Sequence, residues 1–344
     1  MAAKKKAIPL QEVEVYDNSE IENHCKCDRM HYFRHVRHLT AKGQAKSLGF
    51  GSAWHKSMDV IWSEICWEGN KDDAGVGWAA GAAFMETWVE LGFPGVEEWA
   101  TLSKDEQKEL MPQSPMTALE MIFEYIKQRR KFLESIELLE IERPFVVPLS
   151  PDNPSLMYSG RTDKTFKMNK RVLGTDHKTT SLYAKDGFFR SMYLESFSPN
   201  RQLEGYLHSL KMRHGKAAKA VWADLALVHR SVHDGFRFVP VEMQVDHLGA
   251  WLWETHQRIE EIRKNKQALR EFREAGVDAP FMPCFPKKPE ACTLYNRKCG
   301  FMDLCRMWAN PELFPEVPPG YIEDPWSPFE EYQLDQLGLK EKRV

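Results

Sequence analysis

Two short segments, Gly160-Arg161-Thr162-Asp163 and Gly174-Thr175-Asp176-His177-Lys178-Thr179-Thr180, constrain the fold of this chain more than any other stretch. Leu156 to Met168 and Arg171 to Lys178 read as strands joined by a turn at Asn169-Lys170, the pattern of a β-hairpin. Alternate residues of a strand project to one face, so Asp176 and Lys178 stand together. Asp163 and Asp176 beside a sheet edge suit a divalent cation. Mg²⁺ and Mn²⁺ prefer carboxylate oxygen and retain several waters. Such an ion lowers the pKa of a coordinated water and neutralises phosphate charge. A neighbouring lysine orients that water or stabilises developing negative charge as a compact point charge. Taken alone, an acid-x-lysine triplet is also what an ordinary exposed strand end carries.

Further residues fall in a fixed order around this pair. Upstream, Leu48-Gly49-Phe50-Gly51-Ser52-Ala53-Trp54-His55 reads as a helix carrying His55. Downstream, Gln202 and Tyr206 are four apart and share one face of a helix. G-x-x-x-H, G-R-x-D, D-x-K and Q-x-x-x-Y, in that order, resemble the RecB-like branch of the PD-(D/E)XK nuclease superfamily. The resemblance covers about residues 19–308. It implies that Asp163, Asp176 and His55 bind a Mg²⁺ or Mn²⁺ ion, with the backbone carbonyl of His177 facing it. It also implies that Lys178 orients or activates the attacking water and that Gln202 and Tyr206 organise Lys178 and the phosphate.

Seven cysteines give a second signal: Cys25, Cys27, Cys66, Cys284, Cys292, Cys299 and Cys305. No apolar leader opens the chain, so a reducing, cytoplasmic compartment of a prokaryotic or phage-infected cell is expected, with thiols as metal ligands rather than disulfides. Cys292-x6-Cys299-x5-Cys305 lies in a Pro-rich stretch, and Cys27 precedes an aromatic pair, Tyr32-Phe33. This split resembles the iron–sulfur subset of the RecB-like family, the CRISPR-associated and AddB-type nucleases. There, one N-terminal and three C-terminal cysteines hold a [4Fe–4S] cluster. The resemblance assigns that cluster to Cys27, Cys292, Cys299 and Cys305. Four thiolates suit structural Zn²⁺ equally well. The spacing departs from the family's usual x2-then-x5, and Asp28 stands where proline often follows the first cysteine. Cys25 in place of Cys27, and Cys284 in place of Cys292, stay open. Cys66, between Ile65 and Trp67, reads as a core thiol.

A 344-residue chain with 42% hydrophobic residues and eleven tryptophans has the material for a substantial core. No apolar run is long enough to span a bilayer. The net charge of −3 lacks the global basic signature of a nucleic-acid-binding module. Local basic stretches are Lys4 to Lys6, Arg34 to Arg37, Lys211 to Lys219 and, flanking the acids, Arg161, Lys164, Lys167, Lys170 and Arg171. The last is the expected phosphate-contact patch.

The expected organisation is a loose basic lead-in over 1–18, a nuclease domain over 19–310 and a Pro- and acid-rich tail over 311–344. Within the domain, 56–140 is a helical insertion and 280–308 the cysteine segment. Ser19 is the expected N-cap of a helix running through Cys27 to about Val36. The fold class is α/β: a restriction-endonuclease-like mixed central sheet flanked by helices, with the helical insertion and a C-terminal iron–sulfur staple. The resemblance implies an exonuclease acting on DNA ends or single strands in recombination or repair, with a helicase or recombination protein as partner. No G-x-x-x-x-G-K-[ST] segment is present, so the chain carries no motor of that type. Two other readings are a metal-stapled DNA-binding or recombination partner without catalysis and a nuclease of this fold acting on RNA.

Overall fold

The computed structural model describes residues 13–43, 45–150, 153–184, 188–242 and 244–325. The Lys4 to Lys6 stretch and the end of the tail lie outside them. In chain order, the elements begin with β1 (Glu14–Asp17), α1 (Asn18–Lys26), α2 (Asp28–His31), β2 (Leu39–Ala41) and α3 (Lys46–Trp62). A helical stretch follows: α4 (Asp73–Glu90), α5 (Val96–Thr101), α6 (Lys104–Leu110) and α7 (Pro115–Glu134). Then come β3 (Glu137–Ser150), β4 (Asn153–Met168), β5 (Arg171–Thr180), α8 (Ser191–Glu195) and α9 (Arg201–His214). The chain continues through β6 (Ala218–Leu227), β7 (Phe236–Glu242), α10 (Val245–Glu274), α11 (Met302–Met307) and β8 (Tyr321–Glu323). Among the described residues the main sheet has six strands, in order β1-β4-β5-β6-β7 with β3 beside β4. It is mixed: β4–β5 and β6–β7 are antiparallel, β1–β4 and β5–β6 parallel. This is the α/β class expected, a mixed central sheet flanked by helices.

The chain divides into two compact units. The second, residues 44–145 and 161–244, holds α3 to α9, the C-terminal half of β4, and β5 to β7. Its hairpin forms because Asn169 and Lys170 both take positive φ, +50° and +64°, the combination that matches the twist of a tight two-residue turn. Asn200 caps α9 by accepting from Leu203 N–H at 3.2 Å, and Ser114 caps α7, with Pro115 at its first position. Gly174 lets α9 pack onto β5, since a Cβ there would lie 2.9 Å from Leu210 Cδ1. The core carries Trp54, Trp62 and Trp88, all fully buried, with Phe50, Phe84 and Phe166. Each such side chain contributes roughly 3 kcal/mol.

The first unit, residues 1–43, 146–160 and 245–344, holds β1, α1, α2, β2, α10, α11 and β8. Its core gathers Tyr32, Phe33, Leu39, Leu269, Met282, Cys284, Phe285 and Leu304. Three features differ from the sequence reading. Glu14–Asp17 is a strand pairing in parallel with β4, not a loose lead-in. The cap of α1 is Asp17, whose carboxylate accepts from Glu20 N–H at 2.6 Å, not Ser19. The tail contributes β8, antiparallel to β2. Strands of three or four residues carry too little periodicity to be read from sequence. Among the described residues, no helix is long and apolar enough to cross a membrane.

Candidate active site

The expected metal- and phosphate-handling residues all lie in the second unit. Asp163 is on β4, Asp176 and Lys178 on β5, His55 on α3, and Gln202 and Tyr206 on α9. Strand alternation sends Asp176 and Lys178 to the α9 face. His177 goes to the other, where its ring meets Trp62 and its Nδ1 lies 3.2 Å from Asp224 Oδ2.

The backbone of His177 ties the site together. Its N–H donates to Asp163 Oδ2 at 2.6 Å, and its carbonyl accepts from His55 Nε2 at 2.9 Å. The other ring nitrogen, His55 Nδ1, therefore faces the carboxylates, 3.4 Å from Asp163 Oδ2 and 3.8 Å from Glu142 Oε1. Ligand atoms of His55, Glu142 and Asp163 lie within 4.8 Å of one another. Glu142 is the residue that sequence reading missed. It enters the site because β3 kinks there, with φ +47°, and its Oε2 is held by Arg161 Nε at 2.8 Å. The available signal was weak: Glu142 is one of three glutamates, with Glu137 and Glu140, in a strand-like stretch just before Arg143-Pro144. Asp176 is not in that tight group, because its Oδ2 faces Lys178 Nζ at 2.8 Å.

From Lys178 a relay of hydrogen bonds runs onto α9. Lys178 Nζ donates to Gln202 Oε1 at 2.9 Å, and Gln202 Nε2 donates to Tyr206 Oη at 2.9 Å. The four-residue spacing of Gln202 and Tyr206 is what lets both reach along one helix face.

Residues 18–306 match the PD-(D/E)XK nuclease superfamily. The chain belongs to that superfamily. No curated protein matches it. Members are hydrolytic nucleases that use divalent metal ions held by acidic residues, and this chain is a metal-dependent nuclease at that level of description.

The electrostatics of the acidic cluster follow from burial and from its closely spaced charges. Burial raises the Asp176 carboxyl above the ordinary range, and the Asp163 carboxylate adds to it. Burial works the same way on Asp163, but His55, then His177 and Lys164, hold it low. Burial opposes protonation of His55, yet Asp163, Glu142 and Asp176 push the imidazole up to about 9. Glu142 Oε1 is buried without a hydrogen bond. The carboxylates thus draw a proton onto His55, and a hard cation seated among their oxygens would take over that role.

The basic patch is smaller than expected. Lys164 is fully buried against Asp59 Oδ1 at 2.7 Å, and Lys167 pairs with Glu137 Oε2 at 3.0 Å. Lys170 and Arg171 remain exposed at the hairpin turn.

The cysteines of the first unit come from short elements and the breaks between them: Cys292 lies in a 3-10 turn over Pro289–Asn296, Cys299 in a loop and Cys305 in α11. Cys27 interrupts the helix expected to run through it, with φ −165° and ψ 122° between α1 and α2, and its Sγ accepts from Lys288 N–H at 3.4 Å. Cys299 N–H donates to the Cys292 carbonyl at 2.8 Å. Burial raises the Cys299 thiol, with Cys27 and Cys292 close enough to add to it. Burial likewise pushes Cys305 up to about 11 against the lowering by Arg29, with Cys27 and Cys299 adding. Cys27, Cys292, Cys299 and Cys305 thus share one neighbourhood. Cys284 is packed in the core with Tyr32 and Phe285, and burial pushes its thiol up to about 11 against the lowering by Arg29, the guanidinium that also acts on Cys305. Cys66 lies half-buried in the second unit, donating to the Leu133 carbonyl at 3.4 Å, and burial pushes its thiol up to about 12.

Proposed function

We propose that this chain is a Mg²⁺- or Mn²⁺-dependent deoxyribonuclease that hydrolyses phosphodiester bonds at DNA ends or in single strands. The observation that carries this reading is the group of His55, Glu142 and Asp163, with Asp176 on the neighbouring strand facing Lys178, itself tied to Gln202 and Tyr206. Asp163, Asp176 and His55 would hold the ion, with Glu142 as a further donor. The ion would supply an activated water and charge neutralisation at the phosphate. Lys178 orients the attacking oxygen and counters negative charge as it develops on the phosphate. Gln202 and Tyr206 keep the Lys178 ammonium at that position. The His177 backbone fixes Asp163 and His55 against each other. As water oxygen bonds to phosphorus, the bond to the departing sugar oxygen breaks and that oxygen takes up a proton.

In the first unit, Cys27, Cys292, Cys299 and Cys305 would hold a [4Fe–4S] cluster, with one structural Zn²⁺ as the second reading of the same thiols. Either group would cross-link segments far apart in sequence. Metal analysis separates the two: about four irons per chain against one zinc. A recombination or repair setting, with a helicase as partner, accords with action at DNA ends.

The test is degradation of end-labelled linear and circular DNA, single- and double-stranded, with Mg²⁺ or Mn²⁺, by wild type, Asp176→Ala and Lys178→Ala. Activity on linear substrates that both substitutions abolish supports the reading. Activity that survives both rejects the site. Attack on circular DNA makes the enzyme an endonuclease, and a preference for RNA moves the substrate class.

A further inference from the structure

The segment after β5 exposes large apolar side chains beside the acids. Leu182, Tyr183, Phe188 and Met192 are 53%, 44%, 69% and 77% exposed. Isolated exposed apolar residues are ordinary; four of them within eleven positions of one connection are not. The described part of this connection is held in place. Leu182 N–H donates to Thr180 Oγ1 at 3.1 Å, and Ala184 N–H to the Phe188 carbonyl at 2.7 Å. Arg190 Nε donates to the Tyr183 carbonyl at 2.9 Å. The Tyr183 ring stands edge-on to His229 with centroids 4.5 Å apart, and His229 Nδ1 in turn accepts from Ser231 and Val232 N–H. On the inner side, Phe189 stacks with Tyr193, which meets the buried Phe197.

The same segment leaves the strand that carries the candidate active site: β5 ends at Thr180, two residues beyond Lys178, and Leu182 N–H folds back onto Thr180 Oγ1. Over 181–195 the sequence carries Lys185, Asp186, Arg190 and Glu195, and Arg190 is the cation tied to Tyr183, through the tyrosine's carbonyl. Flat exposed rings, a cation and an adjoining acidic site that handles phosphates together suit one occupant. Unpaired bases stack on rings while their backbone runs past the cation, and every base has a π-face to offer. A folded protein partner gains nothing from proximity to a phosphodiester site.

We propose that Tyr183 and Phe188 form a stacking platform for unpaired nucleotides adjoining the scissile phosphate of a single-stranded polynucleotide. The proposal deepens the nuclease reading above and rests on it for the position of that phosphate. Duplex DNA, whose bases are already stacked, gains nothing from the platform, so the platform selects frayed ends and single strands.

The test measures binding in EDTA of a short oligothymidylate and of an abasic strand of equal length, by the full chain and by Tyr183→Ala, Phe188→Ala and Phe188→Trp. Wild type is expected to favour the base-bearing strand by about 10-fold or more, the size of one stacked base. Each alanine variant should lose about 10-fold on that strand and little on the abasic one, and Phe188→Trp should keep the preference. Both alanine variants should melt as wild type does, since these side chains are exposed. Equal binding of the two strands by wild type, equal losses on both strands in the variants, or no binding of either strand overturns the platform. Cleavage assays on the same samples separate the two readings. A base preference without cleavage keeps the platform and rejects the nuclease. Cleavage without a base preference does the reverse.

Discussion

The acidic site of the second unit and the cysteine segment of the first are built in opposite ways. Asp163, Asp176, Lys178, Gln202 and Tyr206 ride on regular strands and a capped helix, whose periodicity decides which side chains meet. Cys27 sits at a helix break, Cys292 in a short 3-10 turn, Cys299 in a loop and Cys305 in the six-residue helix α11, elements too short to set their own spacing. The difference teaches that a site placed by periodicity can be altered with little loss of fold. The proposed metal site of the first unit would not tolerate this, because its ligands would cross-link short elements far apart in sequence.

The sharpest way to break that contrast is to replace one cysteine. Cys299→Ser should release bound metal and abolish cooperative folding of the first unit, with an effect of about 10 kcal/mol if the group is a tightly held structural metal. Cys25→Ser and Cys66→Ser should keep the metal. Thermal melting with metal analysis checks both, and retention of metal by Cys299→Ser removes that residue from the ligand set.

Next in size is the loss of chemistry without loss of fold. Lys178→Ala should lower nuclease activity at least about 100-fold while the melting temperature barely moves. A large drop in melting temperature would erase the contrast. Metal-free Asp176→Asn should melt higher than wild type, because it removes a buried charge that burial and Asp163 disfavour, and adding Mn²⁺ should reverse the order.

Gln202→Ala tests a contact once removed. It frees Lys178 from the relay to Tyr206 and should cost about 10- to 100-fold in activity, less than Lys178→Ala. Steady-state cleavage rates rank the two, and an equal loss would make Gln202 a direct participant.

The smallest effect is a pH dependence in the first unit. Burial holds the Asp17 carboxyl at about 6, above its unfolded value. The folded state therefore binds the proton more tightly, and its contribution to stability falls as pH rises from the ordinary carboxylate range through about 6. Asp17→Asn, which retains a capping side chain, should flatten that slope and add about 1–2 kcal/mol at neutral pH. Denaturation midpoints across pH read the slope. A wild-type slope unchanged in the variant assigns it to other groups.

The sequence by itself determined the hairpin, the shared face of Asp176 and Lys178, and the four-residue step from Gln202 to Tyr206. Each follows from a period of two or 3.6 acting over a few residues. The order of these motifs also carried the superfamily, which the match over 18–306 bears out. Only the tertiary structure brought in Glu142, through a backbone kink no local pattern announces, and removed Lys164 from the basic patch by burying it against Asp59. The tertiary structure alone also placed the His177 backbone between Asp163 and His55, and set Cys27 at a break rather than inside a helix. These outcomes depend on contacts between residues far apart in the chain, where the winner is decided by which partner arrives and how much water it excludes. Periodicity has no term for either.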